Sequence, residues 1–141
     1  MECILLTQSF MKQPRILIVD DDPNVSRLVA AHLEKSGAYQ ILIENRSFAA
    51  TAVARSFRPD LVLLDVDMPG KDGGEVAAEI MADASLAHTP IIFLTSLVAH
   101  SETGGTSKML GGFPFLAKPT TPEVLERTVS EMLAKTGLAA A

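Results

Sequence analysis

The sequence predicts an α/β fold in which a parallel β-sheet is covered by helices on both faces. Five short runs rich in Ile, Leu, Val and Phe recur along the chain, at residues 15–20, 39–44, 61–65, 90–95 and 113–118. Four of these runs are almost continuously apolar, which is typical of strands buried on both faces. Segments with apolar residues at helical spacing separate the runs, and this alternation predicts a doubly wound five-stranded sheet with five helices.

The first helix is predicted from its start and stop signals. Asp22 can cap its N-terminus, Pro23 suits the first turn, and Gly37 is expected to end it. Its apolar residues recur at spacings of three and four, at Val25, Leu28, Val29 and Leu33. The more polar run at 39–44 follows this helix and is predicted to be an edge strand.

Three further helices are predicted from similar signals. The second covers residues 48–57 and stops before Pro59, because the residue preceding a proline disfavours helix. The third covers residues 74–84, with Val76, Ile80 and Met81 facing inwards. The last begins at Thr121, which can cap it and is followed by proline.

The segment from 97 to 112 is where the fifth helix should lie, and its composition argues against a regular one. It contains four glycines, at positions 104, 105, 111 and 112. Each glycine inside a helix costs about 1 kcal/mol relative to alanine. We therefore expect a short or poorly ordered helix in this segment.

Size, charge and cysteine content exclude several classes of protein. A chain of 141 residues with 48% hydrophobic residues suits one domain, expected at 14–136, with a loose extension at 1–13 and a tail at 137–141. The net charge of −5 and the lack of a basic patch argue against nucleic-acid binding. Cys3 is the only cysteine, which fits a reducing, cytoplasmic location. No apolar run approaches the roughly 20 residues that cross a membrane.

Polar residues end four of the five predicted strands. Asp20 and Asp21 follow the first strand, Asp65 ends the third, Thr95 ends the fourth and Lys118 ends the fifth. Ligands of such sheets bind at the carboxyl ends of the strands. The fold should therefore bring these residues together, although they are far apart in sequence.

This set of residues suits magnesium-dependent phosphoryl transfer. Two carboxylates about 4 Å apart repel by about 4 kcal/mol at an effective dielectric near 20, so the aspartates need a cation. Mg²⁺ prefers oxygen ligands and commonly binds carboxylates together with phosphate oxygens. Asp65 could then attack phosphorus as a nucleophile, while Lys118 supplies positive charge and Thr95 a hydroxyl donor.

Four motifs, at residues 16–23, 60–70, 94–95 and 115–119, resemble those of the receiver domain of two-component response regulators. The resemblance extends over about residues 14–136 and keeps the order and spacing of the motifs. It implies a flavodoxin-like fold with strand order 2-1-3-4-5. It also implies that a histidine kinase or phosphotransfer protein donates a phosphoryl group to Asp65, and that an unknown protein reads the result.

The resemblance assigns a role to each matching residue. It implies that Asp21 binds Mg²⁺ directly, that Asp20 acts through water, and that Asp65 and the backbone carbonyl of Asp67 are further ligands. Thr95 would move toward the phosphoryl group, and Phe115, acting as a switch residue, would turn inwards behind it. A cis peptide bond between Lys118 and Pro119 is also implied.

The sequence departs from the usual family pattern at a few positions. Phe115 replaces a tyrosine, so a hydroxyl contact is lost although an aromatic switch remains possible. Ser96 stands where alanine or glycine is usual. Asp67 and Leu97 occupy positions that influence the lifetime of the phosphoryl group in the family. The glycine-rich segment 97–112 belongs to the usual output face, which we expect to be unusually mobile.

Three other functions remain as alternatives. Asp65 and Asp67 resemble the Asp-x-Asp motif of haloacid-dehalogenase-like phosphatases, but in those enzymes this motif lies on the first strand. A pseudo-receiver would bind proteins without accepting phosphate, although all the key side chains are present here. A flavin-binding flavodoxin is disfavoured because the acidic strand ends would repel the cofactor phosphate. We therefore expect a signalling protein rather than an enzyme.

Overall fold

A mostly parallel β-sheet forms the centre of the molecule. The structure is a computed structural model that describes residues 13–96, the backbone of residues 108–110, and residues 113–136. Within these residues the strands are β1 (Arg15–Val19), β2 (Gln40–Glu44), β3 (Leu61–Asp65), β4 (Ile91–Thr95), β5 (Lys108–Leu110) and β6 (Phe113–Ala117). Their spatial order is β2-β1-β3-β4-β6-β5.

The order of the five parallel strands is the predicted one. The pairs β1–β2, β1–β3, β3–β4 and β4–β6 are all parallel, and β6 is the fifth strand of the sequence prediction. The predicted order 2-1-3-4-5 is thereby confirmed, and β2 lies at an edge as its more polar sequence indicated. The carboxyl ends of the four strands that end in polar residues therefore lie at the same edge of the sheet.

One strand and the number of helices differ from the prediction. β5 pairs antiparallel with β6, with Lys108 opposite Phe115 and Leu110 opposite Phe113. These residues belong to the segment that was expected to be a fifth helix, and they form an edge strand instead. The rest of that segment, residues 97–107 and 111–112, lies outside the described residues, as does the predicted mobility of residues 97–112.

Four α-helices lie in the described part of the chain. They are α1 (Pro23–Glu34), α2 (Ala50–Phe57), α3 (Gly73–Ala82) and α4 (Pro122–Lys135), with a 3₁₀ turn at Ser47–Ala49 before α2. Asp22 caps α1 as predicted, and its side chain accepts hydrogen bonds from the backbone N–H groups of Asn24 and Val25. None of the four has both the length and the apolar character needed to cross a bilayer.

The central strands β1, β3 and β4 contribute to two separate hydrophobic cores, one on each face of the sheet. Along β1, Ile16 and Ile18 pack with α1 and α4, whereas Leu17 and Val19 pack with α2 and α3. The same alternation continues along β3 and β4. Burial of one such side chain stabilises the fold by about 1.5–3 kcal/mol. The two cores hold the sheet rigid on both faces and so fix the positions of the strand ends.

Two apolar residues are more exposed than their helical spacing suggested. Met81 was predicted to face inwards, but it is 41% exposed, whereas Val76 and Ile80 on the same helix are fully buried. Leu28, part of the apolar stripe of α1, is 55% exposed. In both helices the apolar stripe predicted from helical spacing is wider than the part of the helix that the sheet covers. Met81 and Leu28 lie at the uncovered margin of these stripes.

Candidate functional site

Asp20 is held in place at the end of β1. It is 1% exposed, and its Oδ1 accepts a hydrogen bond of 2.9 Å from the backbone N–H of Asp22. Its own backbone N–H donates to the carbonyl of Glu44, and the side-chain amide of Asn45 donates to its carbonyl at 2.7 Å. The backbone N–H of Asp22 thus holds Oδ1 of this carboxylate in place, while Oδ2 remains for other partners.

Lys118 joins the ends of three strands. Its Nζ donates to Asp20 Oδ2 at 2.8 Å and to Asp65 Oδ1 at 2.9 Å. Its backbone N–H donates to the carbonyl of Thr95 at 2.8 Å. The Lys118–Pro119 peptide bond is cis, as the resemblance implies. One ammonium group therefore bridges two buried carboxylates that come from different strands.

The carboxylates form a compact cluster that suits a hard cation. Oxygen atoms of Asp20, Asp21 and Asp65 all lie within 4.8 Å of one another. Asp20 and Asp65 are buried and Asp21 is exposed, so the cluster opens to solvent on one side. A single ammonium cannot neutralise three carboxylates. An all-oxygen donor set with an open side is what Mg²⁺ requires, because it keeps several waters when it binds to proteins.

The environment of Asp65 makes its carboxylate easier to protonate than an exposed one when no metal is bound. Burial is the main cause and raises the pKa of Asp65 to about 6, with the charge of Asp20 adding to it and the hydrogen bond from Lys118 opposing it. Burial lowers the pKa of Lys118, but its hydrogen bonds to Asp20 and Asp65 outweigh this and raise it. The lysine therefore stays charged. With a pKa of about 6, Asp65 is largely ionised at neutral pH, and a bound cation would favour the anionic carboxylate further.

The remaining predicted residues occupy different positions around this cluster. Thr95 ends β4, next to Leu94, whose Cα is paired with that of Asp65, and it is 1% exposed. Phe115 is 5% exposed and lies in the core that packs against α2 and α3. Asp67 follows β3 with an exposed side chain. That the backbone carbonyl of Asp67 binds the metal ion stays a prediction.

Two residues that the sequence analysis did not single out also shape the site. The amide of Asn45 donates to both the carbonyl of Asp20 and the hydroxyl of Ser26, the latter at 2.9 Å. Gly73 begins α3 directly behind Asp65, and its N–H donates to the carbonyl of Val66 at 2.9 Å. Asn45 directly follows β2 and Gly73 begins a helix, and neither carries the charge that drew attention to the residues at the other strand ends.

Replacement of Gly73 by alanine should displace the backbone that carries Asp65. A Cβ at this position would lie 2.8 Å from the Cα of Val66 and still closer to the carbonyl oxygen of Asp65. We expect Gly73→Ala to lower the free energy of unfolding by about 1–3 kcal/mol, the usual range for overpacking. Gly74→Ala is the matched control, because its Cβ meets only the side chain of Asp72, at 3.3 Å. Equal urea midpoints for the two variants would contradict this account.

Comparisons with known proteins agree with this fold and this site. The family model described as the response regulator receiver domain matches residues 16–130. The chain is 36% identical over 121 residues to Protein PilH of Pseudomonas aeruginosa. This alignment covers 85% of this chain and 98% of PilH. It is 34% identical to the DNA-binding dual master transcriptional regulator RpaA of Synechocystis, but spans only 50% of that protein.

Solved structures give the same result. The chemotaxis response regulator CheY4 of Vibrio cholerae superimposes with a TM-score of 0.73 at 28% identity, over 86% of this chain and 100% of CheY4. A putative response regulator from Chloroflexus aurantiacus superimposes with a TM-score of 0.75 at 28% identity, over 87% of this chain and 99% of the other. These are signalling domains, in agreement with the expectation that this chain is not an enzyme. The chain belongs to the family of response regulator receiver domains.

Proposed function

We propose that this chain is a phosphorylation-dependent switch in which Asp65 accepts a phosphoryl group in the presence of Mg²⁺. The donor is a phosphohistidine of a histidine kinase or phosphotransfer protein in the cytoplasm. The observation that carries the proposal is the position of Lys118 Nζ, within hydrogen-bond distance of both Asp20 and Asp65. A structural ion pair alone would not call for a third carboxylate, Asp21, in the same cluster.

Asp65 is the nucleophile in this proposal. One of its carboxylate oxygens forms a bond to phosphorus as the bond between phosphorus and the donor nitrogen breaks, which gives an acyl phosphate and a free histidine. Asp65 suits this role because it ends β3, where both hydrophobic cores hold its backbone in place. The open side of the cluster, at Asp21, gives the donor access.

Charge stabilisation comes from the residues around Asp65. Lys118 already donates to Asp65 and can transfer that hydrogen bond to an incoming phosphoryl oxygen, since its ammonium group has three donors. Asp20 and Asp21, with the backbone carbonyl of Asp67, would hold Mg²⁺. When bound, the ion neutralises part of the negative charge on the transferred group. The hydroxyl of Thr95 supplies a further donor.

The switch is proposed to follow from new bonds to the phosphoryl group. Thr95 would reorient toward it, and Phe115 would repack in the space behind. Both side chains are nearly completely buried. A change in either therefore alters packing under the surface formed by β4 and β6, and a partner that binds the two packings with different affinity can read the difference.

The direct test is incubation of the intact chain with a small phosphodonor such as acetyl phosphate, with and without Mg²⁺. We expect the mass of one phosphoryl group to appear when Mg²⁺ is present, and little of it in a chelator. No mass gain would favour the pseudo-receiver alternative. Steady release of phosphate from simple phosphate monoesters would favour a phosphatase.

Magnesium binding should also stabilise the fold in a way that depends on Asp21. At a Mg²⁺ concentration about ten times the dissociation constant, linkage stabilises the native state by about 1.4 kcal/mol, which corresponds to several degrees in Tm. Asp21→Asn should lose most of this shift, because it removes a ligand that is exposed and not needed for packing. Glu34→Gln, an exposed acidic residue at the end of α1, is the control and should keep the wild-type shift. Identical shifts in the two variants would argue against a metal site at Asp21.

A further inference from the structure

A second surface, which is apolar and basic rather than acidic, surrounds Phe48. This residue lies in the 3₁₀ turn between β2 and α2 and is 71% exposed, the highest value among the large apolar side chains in the described ranges. The guanidinium carbon of Arg46 lies 5.7 Å from the centre of its ring, in cation–π contact. An aromatic ring held in this way loses little freedom when it is covered by a partner.

Two neighbouring hollows adjoin this ring. One, of about 530 Å³, is lined by Leu42, Arg46, Ala49, Ala52, Val53 and Phe57, together with Ser56. The other, of about 620 Å³, is lined by Phe48, Ala52, Ala82 and Ala84 and by the polar residues Thr51, Arg55, Glu79 and Asp83. Ala52 belongs to both, so the two hollows meet on the exposed face of α2. We call Arg46, Phe48, Ala52 and Arg55 the Phe48 surface.

The charges exposed at the Phe48 surface are mainly positive. The side chain of Arg46 is 63% exposed and its partner Glu44 only 10%, and Arg55 is 58% exposed over Asp83 at 13%. The carboxylates thus lie beneath the guanidinium groups. The other carboxylate in the lining, Glu79, is 42% exposed, but it is bound by Lys71 and by the hydroxyl of Thr51.

Both arginines keep donors for a ligand. Arg46 binds Glu44 through Nε and one terminal nitrogen, and Arg55 binds Asp83 through Nε. A guanidinium group has five N–H donors, so several remain on each residue. Their planar arrangement suits carboxylates, which can accept two of them at once. This is a local feature, since the chain as a whole carries a net charge of −5.

We propose that the Phe48 surface binds an acidic amphipathic helix of another protein. Apolar side chains at helical spacing would enter the two hollows on either side of Ala52, where the small side chain allows close approach. Carboxylates flanking that apolar stripe would bind Arg46 and Arg55. Exposed aromatic and arginine residues at the centre of a patch are the types that dominate binding energy at interfaces.

The test uses two synthetic amphipathic peptides with the same leucines at helical spacing, one carrying Glu and the other Lys on its flanks. Binding to the full chain is followed by shifts of backbone amide NMR signals. We expect the Glu peptide to bind at least about tenfold more tightly than the Lys peptide and to shift signals of the Phe48 surface. Phe48→Ala and Arg55→Gln should each weaken binding about tenfold.

Matched controls distinguish binding at the Phe48 surface from non-specific binding to exposed apolar or basic side chains. Leu28→Ala removes another exposed apolar side chain, on α1 at the opposite face of the sheet, and Arg27→Gln removes an exposed arginine from the same helix. Both should bind the Glu peptide like the wild type. Equal binding of the two peptides, binding mapped to α1, or no binding at all would overturn the proposal. So would a self-associated chain in sedimentation that becomes monomeric in Phe48→Ala, because the occupant would then be a second copy.

Discussion

Asp65→Asn should abolish phosphoryl acceptance and, at the same time, make the unmodified protein more stable. The amide cannot form the acyl phosphate, so the mass gain with a phosphodonor should disappear. The gain in stability follows from the raised pKa of Asp65, about 6 in the folded chain, where burial is the main cause. If Asp65 served only packing, its substitution would not be expected to abolish phosphoryl acceptance and stabilise the protein at the same time.

The sign of the stability change depends on pH. Below about pH 4 the carboxyl group is protonated in both the folded and the unfolded chain, and it makes little difference. As the pH rises from about 4 to 6 the unfolded chain loses this proton first, which lowers the stability of the wild type relative to Asp65→Asn. Above about pH 6 the difference should level off at on the order of 2 kcal/mol.

The measurement is urea unfolding of both proteins in a chelating buffer across this pH range. The asparagine oxygen can still accept the hydrogen bond from Lys118, so the comparison mainly removes a buried charge. A variant that is less stable than the wild type at about pH 8 would contradict the assigned electrostatics. A phosphoryl group that still appears on the variant would contradict the assigned acceptor.

Lys118→Met should damage both stability and function. It leaves Asp20 and Asp65, which are 1% and 4% exposed, without the ammonium group that bridges them. Loss of one partner from a buried ion pair commonly costs about 3–5 kcal/mol. We expect a loss of that order in metal-free buffer, partly recovered with Mg²⁺. The rate of phosphoryl acceptance should fall at least about 100-fold, because a donor to the transferred group is lost.

Two comparisons make this prediction specific. Lys135→Met, at the exposed end of α4, should retain wild-type stability and rate. In the Asp65→Asn background, Lys118→Met should cost less free energy of unfolding than in the wild type, since one of the two carboxylates is already neutral. Strictly additive costs would mean that Lys118 and Asp65 do not interact in solution.

The convergence of the site residues followed from the sequence because four of the five predicted strands end at polar residues at the same edge of a parallel sheet. Asp20 and Lys118 are 98 residues apart, yet their side chains lie 2.8 Å from each other. The apolar runs predicted the strands, and the general position of ligands at the carboxyl ends of such strands predicted that these ends converge, although not the particular contact between Lys118 and Asp20. No side-chain geometry was needed for that step.

The partners of Asn45, which follows the carboxyl end of β2, and of Gly73 could not be predicted in the same way. Their importance depends on which backbone atoms the tertiary fold brings next to them: the carbonyl of Asp20 for the first and the backbone of Asp65 and Val66 for the second. Met81 and Leu28 show a related limit. Helical spacing identifies the apolar side of a helix, but the extent of the neighbouring elements decides which residues at its margin are covered.

The strand at Lys108–Leu110 differs from the predicted helix because glycine, which breaks helices, also favours turns between strands. Gly111 and Gly112 separate it from the apolar run that forms β6, and two glycines between such runs are also a signal for a tight hairpin. The antiparallel pairing of β5 with β6 agrees with that second interpretation. Glycine content alone therefore distinguished poorly between an irregular helix and an added strand.

The most direct test of the central claim is the chemical location of the phosphoryl group. The chain is treated with a small phosphodonor and Mg²⁺, reduced with borohydride, which converts an acyl phosphate into an alcohol, and digested for peptide mass spectrometry. We predict that reduction marks Asp65 and leaves Asp20, Asp21 and Asp67 unchanged. A mark on another residue, or none on a chain that has gained the phosphoryl mass, would contradict the assignment of Asp65 as the acceptor.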